Sequence, residues 1–212
     1  MKGLALYGAK CTIDIWNSFS KKMEGYDITY VEYPREITEK AENFSDITQW
    51  LYHTYGNYTY DFILGHSMGG IIALELVASL RLQCNKCILV DSILKPTEVF
   101  YRNLMLPVNM ENYGEQVLSM IKEEDQYYGD SLRKYMQRED DFTNYIKNTN
   151  ADIYGIYGDR GHANYNNRIK DLCLPEDISQ RMTFRFVKNS CHMPMIENPL
   201  ELADIVKSII TD

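Results

Sequence analysis

The sequence lacks any apolar run that approaches the roughly 20 residues needed to cross a bilayer. Its apolar start, residues 1–8, is too short for a secretory signal. Positive charge is also scarce, since 22 Lys and Arg stand against 30 Asp and Glu and the formal net charge is −8. This balance argues against nucleic acid and against anionic membrane surfaces as partners. We therefore expect a cytoplasmic protein without a membrane span.

The sequence also lacks a cysteine pattern typical of disulfide-bonded proteins. The chain has five cysteines, an odd number scattered along 212 residues, so a disulfide framework is not expected. Cys84 and Cys87 have the spacing of a CxxC pair, but no second pair lies at zinc-site distance. The better interpretation is that small residues enter a buried strand here. No metal site is predicted.

What the chain does contain is a series of short strand patterns separated by helical ones. With 212 residues and 45% hydrophobic content, it is large enough for one domain with a substantial core. Strands that alternate with helices predict an α/β fold, with a parallel sheet of about six strands and helices on both faces. The expected spatial order is 2-1-3-4-5-6. The predicted strands are residues 3–8, 26–33, 60–64, 87–91, 153–158 and 182–187.

Residues 95–150 have a different character. They are rich in Tyr, Met, Glu, Asp and Asn, and they show no strand pattern. Helices are expected at 97–106, 113–124 and 129–147. Because the segment is too long for a simple crossover, we expect it to form a helical cap over the sheet edge. The predicted organisation is a core of residues 1–94 and 151–212 with a cap of residues 95–150 inserted between core strands.

The most informative motif is GHSMGG at residues 65–70. It follows the apolar run at 61–64 and precedes an apolar helix that begins at Met68. A strand, a serine flanked by glycines and a helix, in that order, are typical of a nucleophile elbow. Gly65 and Gly69 stand two residues on either side of Ser67, where side chains would collide in so tight a turn. The pattern predicts that Ser67 is a catalytic nucleophile.

A serine hydroxyl needs a base to take its proton. His192 follows the last predicted strand, so it lies at the same sheet edge as Ser67 and is the expected base. His162, in a neighbouring loop, is the second candidate. His66 is expected to point away from the nucleophile into local packing, and His53 is expected to be solvated at a helix end.

The oxyanion that forms during acyl transfer needs N–H donors. One is expected from Met68, the first residue after the nucleophile. The other is expected from Ala9, because Gly8 lets the loop after the first strand turn toward Ser67. The alternative is that residues 7–10 form an ordinary glycine turn.

These motifs together resemble the α/β-hydrolase fold superfamily, and within it the small capped esterases and thioesterases. The resemblance covers nearly the whole chain. GHSMGG matches the elbow, and residues 4–8 resemble the strand that ends in His-Gly, with Tyr7 in place of the histidine. His192 is followed five residues later by Glu197 and then by Pro199, as in the family. The antiparallel hairpin that usually opens the family's sheet is not recognisable, which leaves a shortened core.

The resemblance implies a catalytic acid in a Gly-x-x-Asp turn after the fifth strand, but the expected position here is Gly161. Asp159, two residues earlier in the same turn, is the preferred replacement. Asp91, at the end of the fourth strand, is the alternative, because some members of the fold carry their acid there. A third option is a Ser–His dyad oriented by a backbone carbonyl or a water.

The leading functional hypothesis is a serine hydrolase that acts on a small-molecule ester or thioester through an acyl-enzyme on Ser67. Such a mechanism requires no metal and no organic cofactor. The alternatives are acyl transfer to another acceptor, cleavage of a C–C bond at the same site, and a ligand-binding protein without turnover, which the missing acid at Gly161 favours. A homodimer is left open.

Overall fold

A computed structural model describes all 212 residues, and its centre is one parallel sheet. The six strands stand in the order β2-β1-β3-β4-β5-β6, and every neighbouring pair is parallel. The predicted strand number, direction and order are therefore confirmed. The strands are β1 (Lys2–Leu6), β2 (Asp27–Tyr30), β3 (Tyr60–His66), β4 (Cys84–Val90), β5 (Asp152–Gly158) and β6 (Met182–Val187).

Helices connect the strands and follow the last of them. Right-handed crossovers from β1 to β2 and from β3 to β4 run in opposite directions along the sheet, so their helices cover opposite faces. The helices are α1 (Asn17–Ser20), α2 (Arg35–Lys40), α3 (Phe44–Tyr55), α4 (Met68–Ala78), α5 (Pro107–Asn109), α6 (Glu115–Asp125), α7 (Asp130–Met136), α8 (Asn144–Lys147), α9 (Glu176–Ser179), α10 (Pro194–Glu197) and α11 (Pro199–Thr211). None of them has the length and apolar character needed to span a membrane.

Helix α4 is the buried helix of the fold, and all of its residues are buried. It packs against β3, β4 and α3. Its one acidic side chain, Glu75, accepts hydrogen bonds from the hydroxyls of Ser45 at 2.6 Å and Thr48 at 2.9 Å on α3. The carboxylate is therefore compensated inside the core, as a buried charge requires. This packing fixes the position of the N-terminus of α4, which directly follows Ser67.

The segment between β4 and β5 is helical, with different bounds from those expected. A helix over 97–106 is wrong, because only a 3₁₀ turn at Val99–Tyr101 forms there. Helix α5 continues through a π-helical turn, Met110–Gly114, into α6. The helix expected over 129–147 is divided into α7 and α8, since Asp141 accepts hydrogen bonds from the backbone and hydroxyl of Thr143 and so stabilises a turn instead.

Candidate active site

Five residues of the candidate site lie beyond the carboxyl ends of the strands. Ala9 follows β1, Ser67 follows β3, Asp91 follows β4, Arg160 follows β5 and His192 follows β6. The strand order reverses between β1 and β3, so the loops after these two strands diverge and leave a crevice between them. The sheet thus brings residues far apart in sequence to one edge, next to Ser67.

Ser67 occupies a strained turn between β3 and α4. Its φ of 51° and ψ of −120° lie outside the regions that side-chain-bearing residues prefer. The backbone N–H of Ser67 donates to the carbonyl of Val90 at 3.0 Å, which ties the turn to β4. The Ser67 side chain makes no capping hydrogen bond to α4. Its hydroxyl is therefore available to the crevice.

His192 contacts Asp91 through one ring nitrogen. Nδ1 of His192 lies 3.0 Å from Oδ1 of Asp91. Because an ionised carboxylate only accepts, Nδ1 carries the proton and Nε2 of the neutral ring is left free to accept one. The His192 backbone is held on both sides, since its N–H donates to Leu104 and its carbonyl accepts from His66.

Asp91 is fully buried and is also bound by the guanidinium of Arg160. Arg160 donates to both carboxylate oxygens at 2.7 Å, and the N–H of Gly158 donates to Oδ2 at 3.0 Å. Burial by itself raises the pKa of Asp91, but Arg160 and His192 outweigh it and hold that pKa below its usual range. The carboxylate facing His192 is therefore ionised at neutral pH.

Asp159, the preferred acid from the sequence, makes neither a hydrogen bond nor an ion pair with His192. Its Oδ1 accepts from the backbone N–H groups of Gly161 and Asn189, each at 2.8 Å. These bonds join the turn after β5 to the loop that carries His192. Gly161, the position implied by the family pattern, has a φ of +74° and completes that turn. The structure thus brings the alternative residue, Asp91, to the histidine.

The loop after β1 approaches Ser67 closely because residue 8 has no side chain. A Cβ on Gly8 would lie 2.8 Å from His66 Nδ1 and 2.9 Å from Ser67 Cβ. Ala9, the next residue, lines the crevice together with Ser67. The backbone N–H groups of Ala9 and Met68 have no carbonyl partner in the protein. Both N–H groups are thus available to an oxygen bound beside Ser67.

The other histidines take different positions. His66 is buried, and its Nε2 donates to the carbonyl oxygen of His192 at 2.9 Å. Burial, and then the neighbouring His192, lower the pKa of His66 to about 3, so its ring is neutral. His162 lies on the exposed turn near Phe100, away from Ser67, and His53 is exposed on α3.

Glu197 is a further residue whose role the sequence did not reveal. Its Oε1 accepts from the N–H groups of Cys191 at 2.7 Å and Met193 at 3.3 Å, on either side of His192. Its Oε2 accepts from the N–H of Leu106 at 3.2 Å and from Asn109 at 2.7 Å. One carboxylate therefore joins the His192 loop to the start of the helical segment. The spacing of Glu197 from His192 was visible in the sequence, but these partners were not.

Two chambers meet at Ser67, and both Ser67 and Ala9 line each of them. The Met68 chamber, about 520 Å³, has apolar walls that include Phe44, Ile71 and Phe142. Its rim is charged and carries Lys95, Arg102, Arg138, Glu139 and Asp140. The His192 chamber, about 390 Å³, contains His192 and His66 and has apolar walls that include Leu104, Ile121 and Met193.

No cluster of three or more His, Cys, Asp and Glu side chains has a geometry suited to a metal ion. All five cysteines are free thiols. Burial raises the pKa of the Cys84 thiol to about 12 and raises that of Cys87 well above its usual value. The CxxC pair is therefore protonated at neutral pH.

Solved structures share this arrangement of strands and helices. A membrane phospholipase A described as a bacterial virulence factor superposes with a TM-score of 0.69 at 19% identity, over 99% of this chain and 78% of that one. An esterase from Rhodococcus sp. ECU1013 gives a TM-score of 0.68 at 13% identity, over 100% of this chain and 90% of that one. The chain has the α/β-hydrolase fold.

A thermophilic esterase from Thermogutta terrifontis shares the α/β-hydrolase fold to a similar degree. It superposes with a TM-score of 0.69 at 12% identity, over 100% of this chain and 89% of that one. No protein-family model and no curated protein matches the sequence. At these identities the similarity extends to the fold, and the chemistry must be argued from the residues of this chain.

Proposed function

We propose that this protein is a serine hydrolase that cleaves a carboxylic ester or a thioester through an acyl-enzyme on Ser67. The observation that carries the proposal is the 3.0 Å distance between His192 Nδ1 and Asp91 Oδ1. That contact leaves His192 Nε2 free, and His192 lines the same chamber as Ser67. The strained turn at Ser67 gives further support, because such backbone strain is concentrated at functional sites.

In the proposed reaction, His192 Nε2 takes the proton of Ser67 as its Oγ bonds to the acyl carbon. Asp91 keeps Nδ1 of the ring protonated and stabilises the imidazolium that forms. The N–H groups of Ala9 and Met68 donate hydrogen bonds to the oxyanion. His192 then returns the proton to the leaving group, and a water activated in the same way releases the acid. These steps use no metal and no organic cofactor.

The two chambers suggest how a substrate is oriented. The leaving group must receive its proton from His192, so we assign it to the His192 chamber. The acyl group then extends into the Met68 chamber, whose apolar walls suit a small hydrocarbon or aromatic acid. Residues of the segment 95–150, among them Leu104, Met136 and Phe142, line the two chambers, which supports its assignment as a cap.

The non-catalytic alternative loses its main support in this arrangement. It was favoured by the absence of a carboxylate at Gly161, and Asp91 supplies one from a different strand. Acyl transfer and C–C cleavage would use the same residues, and no specific contact favours either of them. A cytoplasmic location and a homodimer stay predictions from the sequence.

A fluorophosphonate probe and p-nitrophenyl esters test the proposal. We expect the wild-type protein to be labelled once, to hydrolyse the esters and to show an acyl-enzyme burst. Ser67→Ala should abolish labelling and turnover, whereas Ser119→Ala, which changes an exposed serine on α6, should retain both. Absence of labelling in the wild type, or equal labelling of Ser67→Ala, would show that Ser67 is not the nucleophile.

A further inference from the structure

We propose that Arg160 is a positioning residue for catalysis, which keeps Asp91 ionised and oriented with one carboxylate oxygen on His192 Nδ1. The inference rests on the proposed function, in which Asp91 orients the base. It assigns a role to a side chain that reaches neither substrate nor nucleophile. It also accounts for the unusual location of the acid in this chain.

The contact between Arg160 and Asp91 is a bidentate ion pair inside the protein. Nη1 lies 2.7 Å from Oδ2, and Nη2 lies 2.7 Å from Oδ1, the oxygen that also accepts from His192. The side chains are 2% and 0% exposed. Two parallel N–H···O bonds fix the plane of a carboxylate, which a single point charge does not do. Rotation of Asp91 away from His192 would break both bonds.

The chain holds the guanidinium itself in place. Arg160 has a φ of 54°, and its Nη1 also donates to the carbonyl of Gly158 at 2.8 Å. Its backbone N–H donates to Ser190 at 2.9 Å, and its guanidinium lies 4.6 Å from the centre of the Tyr101 ring. Arg160 is therefore part of a preorganised turn, unlike a surface cation that gains little from an ion pair.

The position of Arg160 explains why the acid can stand after β4. In the resembling family the turn after the fifth strand supplies the carboxylate. Here the same turn supplies a cation that faces a carboxylate from the neighbouring strand. A buried carboxylate without a counterion would take up a proton and could no longer accept from His192 Nδ1. Arg160 compensates that burial.

Six ionisable groups surround Asp91, and they determine what a pH profile reports. They are Arg160, His192, His66, Tyr101, Tyr157 and Cys191. Burial raises the pKa of both tyrosines far above neutral and that of Cys191 to about 12, while the pKa of His66 is lowered to about 3. Between pH 5 and pH 9 these four side chains therefore keep one protonation state and do not shape the profile.

The test compares Arg160→Met and Arg160→Lys with Arg168→Met, a control that removes a guanidinium from the same loop region without touching Asp91. At pH 7 we expect kcat of Arg160→Met to fall at least about 10-fold with KM nearly unchanged. The acidic limb of its kcat–pH profile should move to higher pH, because loss of the guanidinium charge raises the pKa of the buried Asp91 carboxyl. Arg160→Lys should recover part of the loss, and Arg168→Met should match the wild type.

A double substitution separates positioning from folding. Asp91→Asn alone leaves the buried Arg160 charge without a partner, so Asp91→Asn with Arg160→Met should have a higher Tm than Asp91→Asn. Its kcat should equal that of Asp91→Asn, since Arg160 acts only through Asp91. Independent, additive losses of kcat would overturn the proposal. The proposal would also be overturned if the activity of Arg160→Met fell only in proportion to its folded fraction and its pH profile were unshifted.

A spectroscopic readout distinguishes this inference from the proposed function. The His192 Nδ1 proton should give a low-field NMR signal in the wild type, and this signal should weaken on acidification. In Arg160→Met the weakening should begin at a higher pH than in the wild type. This signal does not depend on turnover. If the fluorophosphonate experiment fails but the signal shifts as expected, the positioning role stands and the hydrolase proposal falls. An identical signal and pH response in Arg160→Met would overturn the positioning role.

Discussion

The Nε2 atom of His66 lies 2.9 Å from the carbonyl oxygen of His192. Because a carbonyl only accepts, Nε2 of His66 carries the proton, and Nδ1 is a buried lone pair without a partner. The ring centroids of the two histidines are 4.8 Å apart. The residue before the nucleophile thus supports the backbone of the residue proposed as base, and burial keeps its ring neutral.

The burial of His66 predicts an acid-sensitive stability. The unfolded chain protonates a histidine near pH 6.5, whereas burial and His192 lower the pKa of His66 to about 3 in the folded protein. Between these values the unfolded state binds more protons than the folded state. The free energy of unfolding should therefore be independent of His66 above pH 6.5 and fall below it by up to about 1.4 kcal/mol per pH unit. Urea unfolding at pH 7.5, 6.0 and 5.0 measures the slope.

His66→Gln keeps an N–H donor near His192 and should flatten the slope across this range. His53→Gln is the matched control, because His53 is exposed on α3, and it should retain the wild-type slope. If His66→Gln retains the full acid slope, another group causes the loss of stability.

A second prediction concerns Glu197, whose two oxygens face different parts of the site. Glu197→Gln replaces one of the two accepting oxygens by an NH2 group, which is a donor. The N–H groups that face it, either beside His192 or at Leu106 and Asn109, then lose their acceptor. We expect a loss of about 1–3 kcal/mol in stability, as for an unsatisfied buried polar group. We also expect kcat to fall, because the His192 loop loosens. Steady-state kinetics and thermal unfolding measure the two effects.

Glu201→Gln provides the comparison for that experiment. Glu201 accepts from the N–H of Lys188 and from Asn198, and it touches neither Cys191, Met193 nor the helical segment. We expect a similar loss of stability with kcat unchanged. Equal effects of the two variants on kcat would show that Glu197 acts only on global stability.

Much of the fold was predictable because the signals are local and periodic. The apolar strands, the glycine-flanked turn at Ser67 and the alternation of strands with helices predicted the sheet order. Helix bounds between residues 95 and 150 were less predictable. Side-chain contacts such as Asp141 with Thr143 end helices there, and such contacts compete with periodicity without a strong sequence pattern.

The carboxylate that faces His192 was not predictable from sequence order, for a geometric reason. Asp159 and Asp91 both follow parallel strands, and sequence spacing alone does not tell which carboxylate reaches His192. Arg160 adds a contact that sequence spacing does not show, because its guanidinium binds Asp91 from the turn after β5. The carboxylate that faces His192 is thus held by a third residue, through a contact between two loops.

Paired substitutions distinguish the two carboxylates. Asp91→Asn should lower kcat by about 10⁴-fold, as expected when a triad loses its acid. Asp159→Asn should lower stability by about 1–2 kcal/mol, because Asp159 supports the backbone at Gly161 and Asn189, and should leave kcat of the folded protein close to wild type. Ester hydrolysis and thermal unfolding of both variants give the answer. A larger loss of kcat in Asp159→Asn would reverse the assignment.

The close approach of the β1 loop to Ser67 predicts a strong effect of one methyl group. In Gly8→Ala the new Cβ would lie 2.8 Å from His66 Nδ1 and 2.9 Å from Ser67 Cβ, so the loop must move and carry the Ala9 N–H away from Ser67. We expect kcat to fall about 100-fold or more, the cost of losing one oxyanion donor, with a smaller change in KM. The rate of fluorophosphonate labelling should fall in parallel.

Gly114→Ala is the matched control for Gly8→Ala, since its Cβ would meet only the flexible side chain of Met110, and its activity should stay at the wild-type level. Wild-type kcat in Gly8→Ala would mean that the oxyanion donor lies outside the β1 loop. A fall in kcat with an unchanged labelling rate would place the effect after acylation, in the step where water releases the acid.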